Sequence, residues 1–129
     1  MGEPEEDLAR LLARMRPALA EEACVFATRE RVTCEELEAA WRAHIVRHGL
    51  EKSSRIGYPV GLAYPPDWGE HTMSLRRGDP TPLQAGMAFH MIVGMWMDGW
   101  GYELSETFHV TATGAECLSA FPRELTVKE

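Results

Sequence analysis

The chain has 129 residues, enough for one domain with a modest core, and its 45% apolar content fits a globular protein and excludes a disordered one. A formal net charge of −7, with a pI near 5.2, argues against nucleic acid and anionic membranes as partners. The longest apolar run, Ala85 to Met97, is too short to span a bilayer and contains His90. The leading MGEPEED is acidic where a signal peptide would be basic, and Cys24, Cys34 and Cys117 show no metal spacing and leave an odd one if two pair. A reducing, cytoplasmic setting is therefore expected.

Residues 5–50 read as the helical part of a single domain over 1–129, and residues 56–128 as its sheet part. In the first helix, over residues 5–30, Leu8, Leu11, Leu12, Met15 and Leu19 recur at helical spacing, with Pro17 as a kink or restart. Thr33 then offers an N-cap with Glu36 three residues on, a capping box. Leu37, Ala40, Trp41, His44 and Ile45 form one face of a second helix, and Gly49 suits its C′ position. His44 and His48 lie at a spacing that can hold a metal, but no acidic ligand pattern accompanies them, so a surface or half-buried helix end is the expectation.

Lys52 to Arg55 reads as a linker. Gly57 to Tyr64 reads as a strand whose internal Pro59 assigns it to a sheet edge or an irregular position. Pro65-Pro66-Asp67-Trp68-Gly69 must be a shaped loop, and Arg77-Gly78-Asp79-Pro80 and Gln84-Ala85-Gly86 are turns. The stretch GMAFHMIVGMWMDGWGYELSETFHVT, from Gly86 to Thr111, carries the strongest local signal. Asp98-Gly99 between strand-like runs marks a hairpin, because a type I′ turn needs φ > 0 at both central residues. With that turn, Met97 faces Trp100 and the register follows. One face carries the pairs Phe89–Phe108, Met91–Glu106, Val93–Leu104 and Met95–Tyr102, apolar except for Glu106, and is the expected core face. The other carries Ala88–His109, His90–Thr107, Ile92–Ser105, Gly94–Glu103 and Trp96–Gly101. That polar mix suits the wall of a site, or simple solvent exposure. Thr113-Gly114 turns the chain into a short strand near Glu116-Cys117-Leu118. Helices followed by strands make the class α+β: two N-terminal helices packed on an antiparallel sheet.

Several strings carry a resemblance. LxxGM (Leu83 to Met87) before a strand, a hairpin, and a strand ending in VTxTG (Val110 to Gly114) resemble the C-terminal half of the pita-bread fold of methionine aminopeptidase, aminopeptidase P and creatinase. RIGYPVGLAYPPDWGEHTMSLRRGD, FHMIVGMWMDGWGYELSET and FPRELTVK are most similar to ectoine hydrolase and its relatives, and TCEELEAAW and RHGLEK fit the family's helix before the strand. Glu30-Arg31 stand where the family has a Pro-Gly turn. The resemblance implies that an N-terminal domain and the first half of the fold are missing, so the chain is a fragment, a split subunit or a truncated product. It also implies that metal ligands are replaced. Tyr58 stands where the metallopeptidases have a His in a GHxxG-like motif, Ile92 where they have a Glu after LxxGM, and Ser105 where they have a Glu on the next strand. A dinuclear hydrolase needs anionic oxygens there. No metal and no cofactor are therefore expected.

The resemblance implies a small-molecule substrate with a C–N bond, and ectoine is a cyclic amidine bearing a carboxylate. A planar amidinium is held by a carboxylate and by aromatic faces. His90, Glu103 and Tyr58 are the catalytic candidates, the imidazole because it can move a proton near neutral pH. Trp96, Trp100, Trp68 and Glu106 are the substrate-binding candidates. The two hairpin tryptophans serve equally well as packing, and Asp98 as the turn residue alone. Alternation puts Glu106 on the core face, so it serves a site only through a bulge, and otherwise caps a helix or pairs with an Arg. The leading expectation is part of a metal-independent ectoine hydrolase or creatinase-like hydrolase, inactive alone. The alternatives are a fragment of an Xaa-Pro dipeptidase-type metallopeptidase and a non-catalytic remnant or partner-binding subunit. A chain supplying the missing half, or a second copy, is the expected protein partner.

Overall fold

The structure is a computed structural model that describes residues 31–62, 65–67 and 71–120. The helix expected over residues 5–30 lies outside the described residues, as does Trp68. Within them the elements run as helix α1 (Cys34–Val46) and strands β1 (Gly57–Pro59), β2 (Ala88–Ile92), β3 (Met95–Met97), β4 (Trp100–Tyr102), β5 (Ser105–Val110) and β6 (Ala115–Cys117). The second of the expected helices is thus the one seen, and the sheet is antiparallel throughout.

Helix α1 starts where its sequence dictates. Thr33 accepts from the Glu36 backbone N–H at 3.3 Å, and the Glu36 carboxylate accepts from the Thr33 N–H at 2.8 Å, so both arms of the capping box form. At the other end Leu50 N–H donates to Ile45 O and Gly49 N–H to Val46 O, with Gly49 at φ 70°. This is a Schellman closure with Gly49 at C′, a position only glycine takes without steric cost. Between the caps, Leu37, Trp41 and Ile45 turn inward and are buried. Glu38 is buried too, and is tied to Arg42 at 3.2 Å and Arg77 at 3.7 Å.

The main sheet has the order β1-β2-β5-β6, and β3-β4 form a separate two-stranded ribbon. The register set by Asp98-Gly99 holds over the whole hairpin: Phe89 faces Phe108, His90 faces Thr107, Ile92 faces Ser105 and Met97 faces Trp100. The turn itself is not the expected type I′, because Gly99 has φ 86° while Asp98 stays out of the positive-φ region, which costs a residue with a Cβ more than a glycine. The continuous hairpin expected from the sequence is nevertheless interrupted. Among the described residues, the backbone hydrogen bond from Val93 N–H to Leu104 O, at 3.0 Å, is the one that bridges the gap between the two sheets. β1 is an edge strand, as Pro59 requires, but it stops at Pro59 rather than running to Tyr64.

The core lies between α1 and the apolar face of the sheet. Leu37, Trp41 and Ile45 meet Phe89, Met91, Phe108 and Val110, with Ile56, Leu75 and Leu83 from the connections. Phe89 and Phe108 stack with ring centroids 5.5 Å apart. The segment 76–83 clamps the start of α1 to the sheet, through Cys34 N–H to Thr81 O and Glu35 N–H to Asp79 O, both 2.9 Å. Burial disfavours the Asp79 carboxylate, but donations from the Thr81 hydroxyl and from the Thr81 and Ser74 N–H groups, with the Arg76 charge, outweigh it and hold its pKa below the ordinary value. Burial, reinforced by Asp79, pushes the Cys34 thiol up to about 12, so Cys34 is a core residue and not a nucleophile.

Candidate active site

The face of the sheet opposite the core carries the polar wall. Strand pairing places Tyr58 beside His90 and His90 beside Thr107, in one row across β1, β2 and β5. The Tyr58 and His90 rings are tilted, with centroids 5.5 Å apart. His90 Nδ1 lies 3.1 Å from Thr107 Oγ1, the hydroxyl donating when Nδ1 is bare and accepting when it carries the proton. That contact fixes the ring and leaves Nε2 without a hydrogen-bond partner among the described residues. The Arg55 guanidinium also lies over the Tyr58 ring, 5.0 Å from its centre. All of the row is half-buried, accessible from outside but not freely solvated.

The next row on this face is Ile92–Ser105, and Gly94–Glu103 follows where the two sheets separate. The exposed Glu103 carboxylate accepts from Ser105 Oγ at 3.0 Å. Four residues separate the row of His90 from that of Glu103 along the hairpin, about 13 Å at the rise of a strand. The structure therefore brings Tyr58 and His90 together and leaves Glu103 apart from them, at the end of the wall.

The binding candidates divide further. Trp96 is 65% exposed, and its ring lies flat over Gly94, where a Cβ would collide with it. The Lys52 ammonium sits 4.3 Å from the centre of that ring, so a cation of this chain already occupies the aromatic face expected for a substrate. Trp100 closes the hairpin opposite Met97, and its side chain is outside what is described. Glu106 is not on the wall. β5 runs through without a bulge, and Glu106, 4% exposed, faces Met91 on the core side and accepts from Ser119 Oγ at 2.9 Å. Alternation alone decides its side, and the bulge through which it would serve the site does not form. His44 is buried near the end of α1 with its ring 5.6 Å from that of His48, far from the wall in the chain and packed with the core helix.

Two participants were not singled out in the sequence. Thr107 was visible as the partner of His90 in the hairpin register, and its hydroxyl was the available signal. Lys52 lies in the stretch that reads as a linker, and nothing in the sequence marks it. A groove of about 560 Å³ against α1, lined by Ala39, Arg42, Val46, Leu50 and Arg77 among others, shares no residue with the wall.

The chain matches Metallopeptidase family M24 over residues 1–112, and it belongs to that family. It is 50% identical over 128 residues to the uncharacterized hydrolase/peptidase y4tM of Sinorhizobium fredii, covering 99% of this chain and 32% of that protein. It is 46% identical over 94 residues to ectoine hydrolase of Halomonas elongata, covering 72% of this chain and 24% of that protein. The dipeptidase PepE of Mycobacterium ulcerans has the same fold over 97% of this chain and 33% of its own, with a TM-score of 0.77 and 32% identity. The chain thus spans 32% or less of the length of these two curated relatives. The family's name implies a metal. Where the resemblance places ligands in this half, Tyr58, Ile92 and Ser105 offer a phenol, a hydrocarbon and a hydroxyl, and no cluster of three His, Cys, Asp or Glu side chains that could hold an ion occurs among the described residues. These three side chains by themselves do not fit a hydrolytic divalent ion.

Proposed function

We propose that this chain supplies one wall of a metal-independent hydrolytic site for a C–N bond, of the ectoine hydrolase or creatinase-like type. The facing wall comes from a chain or segment that carries the rest of the fold. The observation that carries this reading is the row Tyr58–His90–Thr107, with Ile92 facing Ser105 beside it: a phenol, a hydrocarbon and a hydroxyl stand where the resemblance places metal ligands, and the His90 imidazole, able to move a proton, stands among them. Hydrolysis needs one group to take a proton from water and another to give one to the departing nitrogen. His90, through Nε2, fits one of these tasks, with Thr107 holding its ring and Tyr58 beside it. Glu103 stands too far along the wall to exchange a proton with His90 and takes an orienting role instead. An Xaa-Pro dipeptidase chemistry is less well supported, since it asks this half for ligands that are replaced.

The test is reconstitution. The purified chain alone should leave ectoine intact when followed by NMR, and a second chain carrying the remaining part of the fold should restore ring opening. His90→Ala should then lower the rate about 100-fold or more, and chelators should have no effect. Stoichiometric Mn, Co or Zn bound at Tyr58 and His90 would overturn metal independence. A second reading, a partner-binding subunit without chemistry, draws on the exposure of Leu62 (91%) and of Val60 just beyond β1. It predicts self-association in sedimentation experiments, and full reconstituted activity counts against it.

A further inference from the structure

Resting on that reading of a small amidine ligand, we propose that Lys52, held between the Gly94 carbonyl and the Trp96 ring, is the recognition point for the ligand's carboxylate at the end of the polar wall. The segment before β1 brings it there. β1 runs antiparallel to β2, and Ile92 N–H donates to Ile56 O at 2.6 Å, so the chain preceding Ile56 continues past the end of β2 and passes Gly94. Lys52 is only 7% exposed, and its ammonium donates to Gly94 O.

An ammonium has three donors and no acceptor. Among the described residues, Gly94 O is the one acceptor in contact with it, and the Trp96 ring covers a second side. No described carboxylate comes within ion-pair distance. Glu103 acts on Lys52 through space while its own oxygen is engaged by Ser105. Burial therefore lowers the pKa of Lys52, and Glu103 offsets only part of that. A buried cation with donors unmet is costly, and an anion that meets them removes the cost. Trp96, 65% exposed, is the side chain that a ligand reaching the ammonium from solvent would displace.

The surroundings select the anion. Glu103 nearby and the chain's net charge of −7 disfavour dianions such as phosphate, and a single ammonium suits a monoanionic carboxylate. A ligand whose delocalised cation lies a few bonds from its carboxylate can place the first toward Glu103 and the second on Lys52.

The test uses the 129-residue chain, NMR signals of the Lys52 side chain and the Trp96 indole, and three probes. These are ectoine, the same cyclic amidine without its carboxylate (2-methyl-1,4,5,6-tetrahydropyrimidine), and acetate. Ectoine should bind about tenfold more tightly than the decarboxylated amidine and move both signals. Lys52→Met should abolish the preference, and Lys52→Arg should keep part of it. If acetate moves both signals saturably while neither amidine binds, the Lys52 site stands and the amidine reading of the wall fails. Equal affinity for the two amidines in the unmodified chain overturns the proposal without reliance on any variant. So does a preference that survives in Lys52→Met, or silence of both signals toward all three probes.

Discussion

The middle of the polar wall and its far end are built in opposite ways. Tyr58, His90 and Thr107 stand in a row because three paired strands carry them, so their spacing is a property of the backbone ladder. Lys52, Trp96 and Glu103 share no ladder: one comes from a connection, one from the two-stranded ribbon, one from the link between the sheets. Their arrangement rests on side-chain contacts with partly exposed groups. A group that must move a proton within a few tenths of an ångström belongs on the ladder, whereas a group that admits a ligand can sit where a ring turns aside.

The contrast can be broken from beneath. Phe108→Ala removes the ring stacked on Phe89 under the wall and should cost about 3–5 kcal/mol in urea unfolding, with loss of the Tyr58–His90 ring contact. Gly57→Ala attacks the ladder itself. A Cβ there would lie 2.7 Å from His90 O and 2.8 Å from Leu75 Cδ1, and the first is backbone with little room to yield. We expect a loss of about 2 kcal/mol and a displaced Tyr58. Unchanged stability would show that β1 is not held as tightly as its contacts indicate. The far end should respond far less. Trp96→Ala should change stability by less than about 1 kcal/mol, while making Lys52 reactive toward amine reagents. Hydrogen exchange sharpens the same comparison without substitution: amides of β2 and β5 should exchange more slowly than those of β3 and β4, because an isolated ribbon is marginal.

The pH dependence follows the sign of each shift. Asp79 is more acidic folded than unfolded, so the stability it contributes is complete above the ordinary value of 3.8 and is lost as pH falls through its lower folded value. Asp79→Asn should flatten that acid limb. Lys52 behaves in the opposite sense. Its folded pKa lies below the ordinary 10.5, so the cost of burying its charge is present at neutral pH and is relieved as pH rises toward 10.5. Lys52→Met should remove the alkaline rise.

Most of the wall was legible in the chain because its causes are local. The two-residue loop at Asp98-Gly99 sets which residues face each other, whatever its turn type, and alternation then sorts His90 to the polar side and Glu106 to the core. The capping box at Thr33 and the glycine at position 49 mark the ends of α1 for equally local reasons.

What the sequence by itself determined is therefore the hairpin register, the limits of one helix and the identity of the groups on each face, all set by interactions within a few residues or across one turn. Only the tertiary structure decided that the hairpin divides at Gly94, that the Trp96 ring folds back onto that glycine, and that Lys52 is carried beneath the ring. The Lys52 contacts join residues more than forty positions apart, through the return of β1 along β2. No periodicity or turn signal in a single chain encodes such a meeting, because it depends on where two strands, already folded, come to lie beside each other.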